Sequence, residues 1–238
     1  MLLCRPFGQE AIRTAPMYRV LASRLARDGV TSLVFDWHGT GDSPGEEAQQ
    51  SLTGWTTDLE AADSLLRAEC PGVPSWFAMG LSSHMALRAA ARAPQPPRRL
   101  ILWEPVVDGP TYIQALFDAH RQEVAFEYNY PWPHLLRRGS VEEPRMPGSV
   151  LGIDVGDALA GDIQRIDGLP LAPAMRRGVE IVCCAAADVL ERVAGQPGAS
   201  LAQMVRIDSR MNWMVSQAQG GSLVPPELLP TVTKALGR

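Results

Sequence analysis

No part of this 238-residue chain is a continuous apolar run of membrane-spanning length, which excludes a transmembrane helix. The opening MLLCRPFGQE turns polar too soon for a secretory leader. The four cysteines, Cys4, Cys70, Cys183 and Cys184, lack metal-ligand spacing, so no zinc site follows from them. The adjacent pair in VEIVCCAAA reads as buried thiols on a strand. Net charge is −4 and the basic pairs Arg98-Arg99, Arg137-Arg138 and Arg176-Arg177 are scattered. That leaves no stripe suited to nucleic acid or an anionic membrane. Histidine is also scarce, with four in the chain and none after residue 134. The expectation is a reduced, cytoplasmic protein with neither metal nor cofactor. The sequence does not set the oligomeric state and is compatible with a homo-oligomer.

What is present is a strand–helix alternation. MLLCRP, TSLVFD, SWFAMG and RRLILWEP are short apolar runs of strand length. Between the first two, Met17, Leu21 and Leu25 recur four apart over a helix at roughly 12–28, closed by Asp28-Gly29. A helix signalled by Thr53 carries Trp55, Leu59, Ala62 and Leu66, and another is expected from about Ser83 to Ala93. Strands apolar on both faces and joined by short connections predict a mainly parallel sheet with helices on both sides. Functional groups then collect on the loops leaving the carboxyl ends of the strands, after residues 6, 36, 80 and 104.

The pattern breaks at about 106–170, an aromatic and proline-rich segment read as a helical lid inserted into the core. Strand–helix order returns with GVEIVCCAAA and QMVRID and ends in a proline-started helix at about 225–237. The expected organisation is a core of 1–105 and 171–238 carrying a lid at 106–170. In the lid, Tyr128, Tyr130 and Trp132 read as packing residues or the lining of an acyl pocket. The glycine-rich GTGDSPG (39–45) lacks the lysine of a phosphate loop and the third glycine of a dinucleotide turn, so it reads as a plain loop.

GLSSHMALRAA follows a strand and opens a helix, and the turn puts Ser82 forward as a nucleophile. A serine hydroxyl becomes one only with a base to take its proton and donors for the developing oxyanion. In a Gly-x-Ser-x-Gly elbow the next N–H, here that of Ser83, supplies one such donor. Gly80 fits this pattern, whereas His84 stands in place of the second glycine. An ordinary helix cap is the competing reading of Ser82. Glu104, ending the strand beside the turn, reads as an acid, a direct base or a strand-end cap.

The succession FDWHGTGDSPG, GLSSHMALRAA and LILWEPVVDG resembles the α/β-hydrolase fold, serine aminopeptidase-like branch, and is most similar to the bacterial exosortase-A-system-associated hydrolases. RPFGQE (5–10) resembles the turn after their first core strand. The resemblance implies a nucleophile at Ser82, a second oxyanion N–H from Phe7 or Gly8, and a triad acid at Asp188. It also implies one or two further strands before the Pro-Phe-Gly turn. A catalytic histidine is implied in the last loop, SRMNWMVSQAQGGSLVPPE, which contains none. His38, His84, His120 and His134 are then the alternatives, with His134 brought down by the lid. Three functions stay open, two of them leading. One is a serine-hydrolase-type enzyme cleaving a small-molecule acyl or peptidyl ester, thioester or amide. The other is a degenerate hydrolase that binds a ligand or protein partner. A lyase or isomerase using only the oxyanion donors is a third.

Overall fold

The computed structural model describes residues 1–208, 211–216 and 224–237. Strands β1 (Leu2–Cys4), β2 (Leu33–Phe35), β3 (Trp76–Met79), β4 (Arg99–Trp103), β7 (Glu180–Ala185) and β8 (Gln203–Arg206) form one sheet in the order β2-β1-β3-β4-β7-β8. Every pairing in it is parallel. The four inner strands are almost entirely buried, while β2 and β8 at the edges are not. Parallel strands buried on both faces need apolar residues at every position, as WFAM and RLILW supply.

Alternating side chains feed two cores. Leu2, Cys4, Trp76, Ala78, Leu100, Leu102 and Cys183 belong to one. It is covered by α2 (Leu52–Glu69), α3 (Ser82–Arg92) and α7 (Leu171–Met175). Leu3, Phe77, Met79, Ile101, Trp103 and Cys184 belong to the other, under α1 (Gly8–Arg27) and α9 (Leu228–Ala235). Cys183 and Cys184 therefore point to opposite faces, and burial pushes both thiols up to about 12. The helix expected from Thr53 starts at Leu52, where the Ser51 side chain accepts from the Gly54 N–H at 3.0 Å.

The chain leaves β1 for β2 on one side and then returns to β3 on the other. The connection thus reverses direction between β1 and β3, the place where open α/β sheets bind ligands. The loops after these two strands are Arg5–Phe7 and Gly80-Leu81.

Between β4 and β7 lie α4 (Gly109–Tyr128), α5 (Trp132–Arg137), the antiparallel hairpin β5 (Gly148–Val150) and β6 (Ile153–Val155), and α6 (Asp157–Gln164). α8 (Ala187–Ala194) follows β7. The segment expected to resist a strand–helix reading is thus mostly helical with one short hairpin. Asp108 caps α4 by accepting from the Thr111 N–H at 2.7 Å, with Pro110 in the first turn. Two contacts tie this segment to the start of α1: Gln9 donates to the Leu151 carbonyl at 3.0 Å, and the Tyr112 hydroxyl donates to Glu10 at 2.8 Å. No described helix is long and apolar enough to cross a membrane.

Candidate active site

The turn after β3 has its apex at Gly80, not at Ser82. The Gly80 N–H donates to the Trp103 carbonyl at 3.0 Å, extending the β3–β4 ladder by one residue. There the chain adopts φ +58°, a left-handed conformation that costs glycine least. Leu81 is already right-handed helical and α3 begins at Ser82. A strained strand-to-helix turn exposes the residue at its positive-φ position, and here that residue has no side chain.

Ser82 is fully buried, with a different set of partners. Its hydroxyl oxygen accepts from the Met79 N–H at 2.9 Å and lies 2.8 Å from the Met79 carbonyl and 3.2 Å from the Cys4 carbonyl. The side chain ties the helix start back to the ends of β3 and β1. Among the described residues no imidazole hydrogen-bonds it. The Ser83 N–H, expected to point at an oxyanion, donates to the Gly80 carbonyl at 3.3 Å. The N–H immediately after the apex is that of Leu81.

The four histidines are dispersed. His84 is 2% exposed, with Nε2 at 2.8 Å from the Val106 carbonyl, and burial lowers its pKa to about 4. It is a neutral imidazole donating into the backbone. His120 Nδ1 accepts from the Leu151 N–H at 3.0 Å, and His134 stacks on Tyr130 with ring centroids 5.2 Å apart. The His38 ring packs against Gly45, where a side chain would collide with it.

A cavity of about 250 Å³ opens at the carboxyl edge of the sheet, lined by Glu10, Met79, Trp103, Glu104, Asp188 and Trp213 among others. The two acids expected from sequence, Glu104 and Asp188, thus share one cavity. Glu104 follows β4 with φ +43° and accepts from the Ala186 N–H at 3.1 Å. A non-glycine residue held in that conformation marks a strained position. Asp188 stands in the first turn of α8. Phe7 is buried as the N-cap of α1, and Gly8 opens that helix at φ +63°.

Trp213 belongs to the segment after β8, where the resemblance calls for a histidine; residues 209–210 and 217–223 of it lie outside the described residues. Its described part is anchored from two helices. Arg13 donates to the Trp213 carbonyl at 3.2 Å, and the Ser216 hydroxyl donates to Glu123 at 2.7 Å.

Sequence reading passed over Glu10. Its carboxyl oxygens lie 3.7 Å and 4.0 Å from where a Cβ on Gly80 would stand. Oε2 accepts the Tyr112 hydroxyl at 2.8 Å. Burial raises the Glu10 pKa to about 7, with the Tyr112 hydrogen bond pulling the other way. The available signal was its place just past the first strand, in the first turn of the helix that leaves the functional edge. Among the described residues no group of three or more His, Cys, Asp or Glu is arranged to hold a metal ion.

The comparisons with known proteins agree with this architecture. A putative hydrolase from Agrobacterium vitis S4 is 15% identical, with 98% of this chain and 86% of that one covered and a TM-score of 0.58. A structure from a study of carboxylesterases of the thaumarchaeon Nitrososphaera gargenis is 13% identical, covering 99% and 89% at a TM-score of 0.61. Tomato methylketone synthase I complexed with 2-tridecanone is 12% identical, covering 99% and 96% at a TM-score of 0.61. At these identities the likeness is one of fold. No curated protein matches. The sequence profile of the family described as serine aminopeptidase, S33, matches residues 11–140 of the 238, and the chain belongs to that hydrolase family.

Proposed function

We propose that this hydrolase-family chain binds a small acyl- or carbonyl-bearing molecule at the β1–β3 edge without forming a Ser82 acyl-enzyme. The observation that carries this reading is the identity of the apex residue. Gly80 occupies the positive-φ position, and the nearest hydroxyl, that of Ser82, is buried among backbone groups of Met79 and Cys4. A hydroxyl with those partners has neither a base nor a path to substrate. The backbone donors of an elbow remain in sequence place, with the Leu81 N–H after the apex and Phe7 or Gly8 beside it. A carbonyl oxygen received there needs no covalent bond. That tomato methylketone synthase I is complexed with 2-tridecanone supports a carbonyl ligand in this fold. In this reading Asp188 and Glu104 line the ligand's cavity and are not members of a triad, and His134 has no part in it. The 106–170 segment acts as a lid whose Tyr112 reaches the cavity's carboxyl. The Pro6-Phe7-Gly8 turn favours the exosortase-associated branch.

The test is exposure of the purified chain to a fluorophosphonate, with intact-mass detection and Ser82→Ala alongside. We expect no adduct on the folded wild-type chain. A stoichiometric adduct that disappears in Ser82→Ala would restore the serine-hydrolase mechanism.

A further inference from the structure

We propose that Glu10 is the catalytic residue of this pocket, a general base that activates water against a small ester held over Gly80. The inference rests on the reading that the ligand is a carbonyl compound bound non-covalently at the β1–β3 edge. Four observations carry it.

The first is position. Glu10 follows β1 and Gly80 follows β3, so the two stand on either side of the point where strand order reverses. The second is room. A Cβ on Gly80 would meet nothing nearer than 3.7 Å, and the first atom it would meet belongs to Glu10 or Pro6. The space that a nucleophile's side chain takes in an elbow is here bordered by a carboxyl group. In this proposal a water bound to the carboxyl attacks a carbonyl carbon held at the apex.

The third is orientation. Tyr112 on α4 donates to Oε2, which leaves Oε1 to take the proton. Tyr112 is itself 7% exposed and therefore fixed. The fourth is environment. Glu10 lines the cavity yet sits in largely apolar surroundings with Met79 and Trp103, and burial raises its pKa to about 7. A base works best when its pKa lies near the working pH. The other titratable groups around it are Tyr18 on its own helix, Tyr112 on α4, and Glu104 and Asp188 across the cavity. Arg13, one turn along α1, is engaged by Glu123.

The step balances within these groups. Glu10 takes a proton from water as the water oxygen bonds to the acyl carbon, and the carbonyl electron pair moves onto its oxygen. When the tetrahedral intermediate collapses, the bond from carbon to the leaving oxygen breaks. The proton held by Glu10 passes to that oxygen, giving an acid and an alcohol and restoring the carboxylate. No oxidant or co-reactant is required. Tyr112 is a positioning residue, because it touches only Glu10.

The probes are 4-nitrophenyl acetate for turnover and its ketone counterpart, 4-nitroacetophenone, for binding by calorimetry, both on the full chain. The wild type is expected to hydrolyse the ester with a rate that rises with pH and inflects near about 7. Glu10→Gln should lose about 10²- to 10⁴-fold while still binding the ketone. Tyr112→Phe removes an interaction that lowers the Glu10 pKa, so its inflection should move to higher pH with the carboxylate still working. Ketone binding without Glu10-dependent turnover, or an inflection in the ordinary carboxylate range, would overturn the assignment of Glu10 and leave the binding reading standing. Failure of the wild type to bind the ketone would overturn both.

Discussion

Oε2 of Glu10 lies 3.7 Å from where a side chain on Gly80 would start, although the two residues come from different strand–loop units. A carboxyl group borders the place where a serine elbow presents its hydroxyl. The consequences are measurable at several positions.

Filling that place should have two effects. Gly80→Ala meets ordinary contacts, but its φ of +58° is unfavourable for any residue with a Cβ. We expect a loss of about 1–2 kcal/mol in urea denaturation. The added methyl should also weaken 4-nitroacetophenone binding, as read by calorimetry. Undiminished binding would place the ligand elsewhere.

Ser82→Ala separates a structural serine from a chemical one. The Ser82 oxygen is the acceptor for the Met79 N–H, so removing it leaves a buried donor without that partner. We expect a cost of about 1–3 kcal/mol and unchanged ester turnover per folded molecule. Loss of turnover without loss of stability would reverse the assignment.

Glu10 should make stability depend on pH near neutrality. Its pKa rises from the ordinary 4.5 to about 7 on folding, so the native state favours the protonated form. Its contribution is complete below 4.5, falls as pH rises through about 7, and then levels off. Glu10→Gln should flatten that part of the curve of denaturation midpoint against pH. A wild-type curve equally steep in the variant would remove Glu10 as the cause.

His84 acts at lower pH with the opposite slope. Folding lowers its pKa from 6.5 to about 4, so its stabilising contribution is present above 6.5 and is lost as pH falls through about 4. His84→Gln keeps a donor for the Val106 carbonyl and does not titrate. We expect reduced acid sensitivity in thermal melts between those values, whereas a slope like wild type would point to other groups.

Gly109 lets the start of α4 pack closely against the end of α6. A Cβ there would stand 1.8 Å from the Ile163 carbonyl oxygen, a backbone atom. Gly109→Ala must push α4 away from α6, at a cost of about 3 kcal/mol or more. Circular dichroism melts would show it. A native melting temperature would mean the two helices part without penalty.

Much of the fold was legible in the chain because it is local. Each of the six strands of the main sheet was marked by an apolar run bounded by turn residues, and the main-sheet helices by their spacing. The segment at about 106–170 stood out as a break in that rhythm. Its hairpin did not, since strands of three residues carry too little pattern. Glu104 was visible because it stands at the end of a strand beside the turn, and Asp188 was named through the family resemblance. Glu10 was missed because its partners, Gly80 and Tyr112, are 70 and 102 residues away.

By itself, the sequence determined a parallel sheet with two apolar faces, the buried thiols of Cys183 and Cys184, and a serine-bearing turn after β3. It did not determine which residue of that turn stands at the apex. Gly80-Leu81-Ser82-Ser83-His84 is one frame and Ala78-Met79-Gly80-Leu81-Ser82, with small residues at both ends, is another. The choice belongs to the sheet. Met79 pairs with Trp103, and the Gly80 N–H still reaches the Trp103 carbonyl, so the chain turns at Gly80. Long-range hydrogen bonding between neighbouring strands decides where a strand stops, and a residue's own neighbours in sequence carry no record of it.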